Sequence, residues 1–295
     1  MIKLGGIRWS VHPLFVLVML ASVVTGYFAE LLTLFAIVLV HELGHVFAAR
    51  GFGWTVREVK LLPFGGVAEV EDGSGLPARE EALVAIAGPL QNVWMAGAAW
   101  LLGHAGAWDP AWAAYVCEAN LMIGLFNLLP ILPLDGGKLM QAGLSRTLTF
   151  HATLVWGTRI SLLFSALMVA SAIVPAVTSG NAIHLHLNLI AVGVFLLLSN
   201  WTTRRNIPFL FLRFLTNRAS AASKSVTRGT WAFPIIVPKG YTVLAALRLF
   251  KRDSYHLIVV MEEQGDVLGV LPEQRLVSGF LSDGKADRAV LELFM

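Results

Sequence analysis

Five consecutive residues, His41-Glu42-Leu43-Gly44-His45, carry the densest chemistry in this 295-residue chain. A separation of four residues puts two imidazoles on one helix face, one turn apart, so both can reach a single ion. The glutamate between them would sit beside that ion as a general base. This H-E-x-x-H spacing is that of zinc hydrolases. Two imidazoles leave a catalytic zinc short of a protein ligand, because such ions usually take three and keep the fourth position for water. The candidate is Asp135, in Asn127-Leu-Leu-Pro-Ile-Leu-Pro-Leu-Asp135-Gly136-Gly137. Pro130 and Pro133 break a helix there, and the glycines permit unusual backbone angles, so an acidic side chain can be aimed inward. On spacing alone, a cap for a helix starting at Lys138 explains Asp135 equally well. Asn92 and Asn127 are amides in or near apolar segments, and either could donate to a tetrahedral oxyanion. The plainer readings are a helix-to-helix hydrogen bond for Asn92 and support of the Asp135 loop for Asn127. Gly88 reads as a point of close helix packing rather than a substrate contact.

The elements that hold these groups are read from hydropathy. The chain is 56% hydrophobic and 14% charged, against about a quarter charged in soluble domains. Its mean hydropathy is +0.70. A bilayer is the solvent that suits such a composition. Apolar runs fall at 11–28, 31–50, 82–102, 112–132, 154–177 and 183–201, each near the roughly 20 residues that cross a membrane as a helix. The first lacks a small-x-small cleavage site and is expected to stay as an anchor. Ionisable groups within such helices are costly, which makes the His41–His45 cluster a functional site by default. The single cysteine, Cys117, excludes an internal disulfide framework and reads as a packing residue.

Basic residues alternate between sides. Lys3 and Arg8 precede the first run, Arg50, Arg57, Lys60 and Arg79 follow the second, Lys138 and Arg146 the fourth, and Arg204, Arg205, Arg213 and Arg218 the sixth. The intervening loops carry none. The positive-inside rule then makes both termini cytoplasmic. His41 and His45 fall in the cytoplasmic half of the second helix, with Asp135 at matching depth. His104, His184 and His186 fall on the opposite side. His12, His151 and His256 read as ordinary interface and strand residues. Residues 56–72 alternate in places around Pro63-Phe64-Gly65-Gly66, as short strands with a tight turn. Open strand edges cannot face lipid, so an interfacial hairpin is expected near the site. Phe64, Gly65 and Gly66 are its candidate substrate contacts, with an extended substrate pairing along the edge.

Beyond residue 202 the character changes. Residues 207–215 are apolar with interspersed arginines, as in a helix lying on a membrane surface; 219–225 are small and polar, as in a linker. The tail then reads strand 234–237, helix 242–252, strand 256–261, turn Gln264-Gly265-Asp266, strand 267–271 and helix 272–281. That order resembles a single CBS module. Such modules pair, so pairing between subunits is expected; the alternative is a small α/β cap without a ligand.

His41-Glu-Leu-Gly-His45, Gly88-Pro89-Leu90-Gln91-Asn92 and Asn127…Leu134-Asp135-Gly136 resemble, in order and separation, the three signature segments of the site-2 protease family. Six spans, one CBS-like module and no PDZ-like insert resemble the branch of that family that acts in endospore formation. The resemblance implies zinc held by His41, His45 and Asp135, with Glu42 as base. It implies cleavage of a membrane-associated sigma-factor precursor of the pro-sigma-K type, inhibitory membrane-protein partners, ATP as a regulatory ligand of the CBS module, and the outer forespore membrane as location. No direct nucleic-acid contact is expected. The expected architecture is an α-helical multi-pass membrane protein: six transmembrane helices with the hairpin (1–202), an interfacial helix and linker (203–226) and a CBS domain (227–295). A general site-2 protease acting on anti-sigma factors or signal-peptide remnants is the second reading. A CBS-regulated transporter is a third; it needs ionisable residues along a path through both leaflets, and the fifth and sixth runs offer essentially none.

Overall fold

Away from water a backbone must satisfy itself, and helices do so within one segment. The structure, a computed structural model, is accordingly mostly helical. It describes residues 2–4, 7–11, 13–62, 65–70, 76–179, 186–229, 231–283 and 287–294. The chain divides into two compact units. The first is Met1–Gly73, Arg79–Pro130 and Leu134–Leu139; the second is Ser74–Ala78, Ile131–Pro133 and Met140–Met295.

The first unit holds a four-stranded sheet in the order β1 (Ile2–Leu4), β2 (Ile7–Val11), β3 (Val56–Leu62), β4 (Gly65–Val70). β3 and β4 form the expected hairpin; β2 runs parallel to β3, and β1 pairs back on β2. The two N-terminal strands were not foreseen, because two short strands before a long apolar run have no periodicity of their own. Ser10 Oγ donates to Glu58 Oε1 at 2.6 Å and ties β2 to β3. β4 is an edge strand, as β1 is on the other side, and Gly65 and Gly66 open it, opposite Leu62 and Leu61. Pro63 and Phe64 lie outside the described residues.

Helices α1 (Pro13–Thr25), α2 (Phe28–Gly51), α3 (Ala78–His104) and α4 (Pro110–Asn127) complete this unit, apart from Ala78 itself. α2 and α3 are long and apolar enough to cross a membrane, as is Phe150–Pro175 further on. α2 buries Ile37, His41, Gly44, His45 and Ala49, a stripe at three- and four-residue spacing. Its Phe47 points outward, 71% exposed. Imidazoles inside and phenylalanine outside invert the soluble pattern, as expected when the surroundings are lipid. α3 lies close along this stripe: a Cβ on Gly44 would sit 2.6 Å from Ala87 O and from Gln91 Cγ. Asp109 caps α4 by accepting from Trp112 N at 2.9 Å, with Pro110 at the first helical position.

α5 (Asp135–Thr147) begins in the first unit and continues into the second. There α6 (Phe150–Ser179) and α7 (Leu187–Arg228) run against each other. The broken segment before α5 has its backbone satisfied from these helices: Leu132 N donates to Ser161 Oγ at 3.0 Å, and Asn200 Nδ2 donates to Leu132 O at 2.6 Å. α6 carries one ionisable residue that the hydropathy reading passed over, Arg159, stacked over Trp156.

α7 is continuous where a linker was expected at 219–225. Alanine, serine and lysine are all tolerated in helices, and no glycine or proline stops the chain there. The apolar face at 207–215 also has a different cover from the expected membrane surface. Phe211, Phe214 and Leu215 are buried with Val237, Leu247, Phe250 and Ile258 in the core of the C-terminal region. That region is β5 (Ala232–Pro238), α8 (Val243–Arg248), β6 (Tyr255–Met261), β7 (Val267–Pro272) and α9 (Glu273–Asp283), closed by a 3-10 turn at Val290–Phe294. β5 pairs parallel to β6, and β7 antiparallel to it. Beneath the sheet, Arg218 of α7 donates to both oxygens of Glu273, at 3.0 and 2.9 Å, and to the carbonyl of Lys251 at 2.8 Å. His256, read as an ordinary strand residue, is buried beside this pair; its backbone N–H also donates to Glu273. Burial alone would raise the Glu273 carboxyl, but hydrogen bonds from His256 and Arg218 and the guanidinium charge hold it below the usual range.

Candidate metal centre

His41 and His45 project from one face of α2, their rings edge to face with centroids 4.8 Å apart. Asp135 reaches them as the first residue of α5. Its Oδ2 lies 3.1 Å from Nε2 of each histidine, and the two Nε2 atoms are 3.1 Å apart. All three residues are buried, with 2%, 7% and 4% of their surfaces exposed.

The protonation of this trio follows from its neighbours. His41 Nδ1 lies 2.6 Å from Asn92 Oδ1, and His45 Nδ1 lies 2.7 Å from the carbonyl of Val84. Both partners are acceptors, so each Nδ1–H donates. Each neutral imidazole then presents a lone pair at Nε2. In that neutral form two nitrogen lone pairs and a carboxylate oxygen face one point, an arrangement that a cation stabilises. Tetrahedral ligands about 2.05 Å from zinc stand about 3.3 Å from one another. The observed 3.1 Å separations match that cage, and the donor set of two imidazoles and a carboxylate suits zinc.

Local sequence explains how the trio meets. A Cβ on Gly88 of α3 would overlap His45 Nε2 and stand 2.6 Å from His41 Nε2. The absent side chain lets α3 lie against the imidazoles, so the expected close packing occurs at their Nε2 atoms. Gly136 has a similar role: a Cβ there would overlap Leu128 O and Leu129 O, so the segment can fold back on the end of α4 only with glycine. Backbone N–H groups of Gly137 and Lys138 donate to Leu134 O and start α5. The Asp135 carboxylate is engaged by His41, His45 and, through Oδ1, by Lys138 Nζ at 3.1 Å. Those contacts favour the ligand reading over the helix cap.

The other candidates divide. Asn92 joins the site, but by holding His41, while its Nδ2 donates to Asn120 Oδ1 at 3.2 Å. Glu42, next to His41 on α2, is half-buried and accepts no hydrogen bond among the described residues. Asn127 Nδ2 donates to Ile123 O of its own helix at 3.0 Å. Gly65 and Gly66 lie on β4, whose hairpin packs on α2. His104 hydrogen-bonds the carbonyl of Trp100, His151 packs edge-on against Phe211, and His256 stacks on Phe250. His12 and His184 lie outside the described residues. Two polar groups were missed. Asn120 is fully buried within α4, and an amide inside an apolar run was a usable signal. Lys138 stands three residues after Asp135, one helical turn away.

Comparison with known proteins agrees with this geometry. The sequence matches Peptidase family M50 over residues 29–107 and 102–168. It is 33% identical over 289 residues to stage IV sporulation protein FB of Bacillus subtilis, covering 98% of this chain and 96% of that protein. A zinc metalloprotease of Methanocaldococcus jannaschii is 34% identical over 156 residues, 49% of this chain and 44% of that one. The solved site-2 protease from Methanocaldococcus jannaschii superimposes with a TM-score of 0.52 at 26% identity, over 69% of this chain and 94% of that one. Near-full-length identity, a shared fold and a buried His-His-Asp cluster lead to one conclusion: the chain is a membrane protein belonging to peptidase family M50, the intramembrane zinc metalloproteases.

Proposed function

We propose that this chain is a zinc-dependent intramembrane endopeptidase in which His41, His45 and Asp135 hold the metal and Glu42 is the general base. The observation that carries the reading is the convergence of two Nε2 lone pairs and one carboxylate oxygen at mutual distances of 3.1 Å. Zinc bound there supplies Lewis acidity, which acidifies water and polarises a peptide carbonyl. Glu42 takes a proton from the attacking water and returns it to the leaving amine nitrogen. Asn92 fixes the tautomer and orientation of His41, and Lys138 steadies Asp135. Of the two amides considered for the oxyanion, we assign Asn127: it is half-buried and bonded only within its own helix, whereas Asn92 is buried and held on both sides, by His41 and by Asn120. The edge of β4 offers unpaired backbone groups to an extended substrate, which peptide hydrolysis requires.

The same reading assigns six spans with both termini cytoplasmic, from the alternating basic residues. It assigns the β-α-β-β-α order within residues 227–295 to one CBS module that pairs between subunits and takes ATP. Similarity to a sporulation protein supports a sigma-factor precursor of the pro-sigma-K type as substrate, inhibitory membrane partners, and action at the outer forespore membrane. The test is co-expression with a membrane-tethered sigma-factor precursor and, separately, with a tethered anti-sigma factor. Cleavage of the first alone, lost in Glu42→Gln, supports the assignment. Cleavage of the second alone transfers the chain to general site-2 proteolysis.

A further inference from the structure

An apolar groove runs along the outer face of α4 and the end of α3, with a volume of about 970 Å³. Trp100, Cys117, Leu121, Met122 and Leu125 line it, and Met122 and Leu125 are 66% and 67% exposed. A helix about 10–12 Å across occupies roughly 500 Å³ per turn, so the groove admits about two turns. Small residues allow close approach: a Cβ on Gly103 would stand 2.6 Å from Ala113 Cβ, which draws α3 and α4 together beneath the groove. Two lining residues do not fit an apolar surface: His104, whose Nδ1 meets the Trp100 carbonyl at 2.9 Å, and Glu118. Glu118 is the ninth of the 18 residues of α4, halfway along it, and it is exposed in the groove with no partner among the described residues. A carboxylate at that depth in lipid is expensive and calls for a counter-charge.

We propose that this groove receives a transmembrane helix of a partner protein that carries a lysine or arginine at mid-span, paired with Glu118. The proposal rests on the reading of α4 as a membrane span. A second copy of this chain fits less well. Twofold contact of α4 with α4 sets Glu118 against Glu118. A foreign basic helix satisfies the carboxylate without that clash. Glu118 lies outside the metal centre, so such a partner occupies the enzyme without displacing a ligand.

The test uses the full chain in phosphatidylcholine vesicles. The probe is a synthetic leucine-alanine helix of about 20 residues with one central lysine and a benzophenone one turn away; the control has leucine in place of lysine. Crosslinks are mapped by mass spectrometry. The lysine peptide should label α4 about tenfold more than the leucine peptide, and Glu118→Gln should remove the difference while zinc content stays at the wild-type level. Equal labelling by both peptides, labelling unchanged in Glu118→Gln, or dominant crosslinking between two copies overturns the proposal. Cys117, the only cysteine, separates this failure from failure of the membrane reading. It should resist a membrane-impermeant maleimide in intact vesicles, and ready labelling would remove α4 from the bilayer and the proposal with it.

Discussion

Gly88→Ala puts the account of the metal centre under the sharpest strain. The added methyl would stand 2.6 Å from His41 Nε2, 0.8 Å short of the 3.4 Å at which ordinary contact begins, and it overlaps His45 Nε2 as well. Either α3 retreats or both imidazoles turn. The first loosens the bond from His41 to Asn92 and the second moves the lone pairs off their common point. Metal-ligand distances tolerate about 0.2 Å, so a displacement near 0.8 Å removes at least one good ligand bond. Disturbing a partner of a ligand alone costs about 10–100-fold in metal affinity; Gly88→Ala should lose at least that. Gly97→Ala, on the same helix, is the control, because a Cβ there meets nothing within 4 Å. Alanine is about 1 kcal/mol better than glycine in a helix, so Gly97→Ala should fold at least as well as the parent. Zinc affinity is read by competition with a chelator on purified protein. Wild-type affinity in Gly88→Ala would refute the reasoning.

Three further outcomes follow from other contacts. Asn92→Ala frees His41 Nδ1, and zinc affinity in chelator competition should fall about 10–100-fold while the protein stays folded. Arg218→Met leaves Glu273 buried without its cation and should destabilise the C-terminal region by about 3–5 kcal/mol in thermal unfolding. Because the folded Glu273 carboxyl is held below its ordinary 4.5, its contribution is full above that pH and is lost as pH falls through the lowered folded value. Unfolding measured from pH 7 downward should show this loss in the parent and not in Glu273→Gln.

The parts of the site legible in the sequence were those set by local spacing. His41 and His45 share a face because four residues make one turn, and that holds in any helix. The C-terminal elements also appeared where alternation and Gln264-Gly265-Asp266 placed them, although α8 stops at Arg248, four residues earlier than expected. What escaped depended on distant partners. β2 is a strand because β3 pairs with it, a non-local contact with no periodic trace, and β1 pairs back on β2. For Asn92 an oxyanion donor and a helix-to-helix hydrogen bond were both open, and only Asn120, 28 residues away, shows the second. The segment at 207–215 displayed an apolar face, and hydropathy alone does not say whether lipid or β5 and β6 cover it. Asp135 stands between these cases: the proline-broken segment showed that something was aimed inward, and only the fold showed that its target is the pair of imidazoles.

The most direct test of the central claim compares purified wild type and Glu42→Gln for zinc by elemental analysis and for cleavage of one membrane-tethered substrate. Glu42 is not among the three converging ligands, so the variant should hold about one zinc per chain, as the wild type does. Its cleavage rate should fall by about 10²–10⁴, the usual contribution of a general base. A variant that keeps its zinc and cleaves at the wild-type rate would contradict the account.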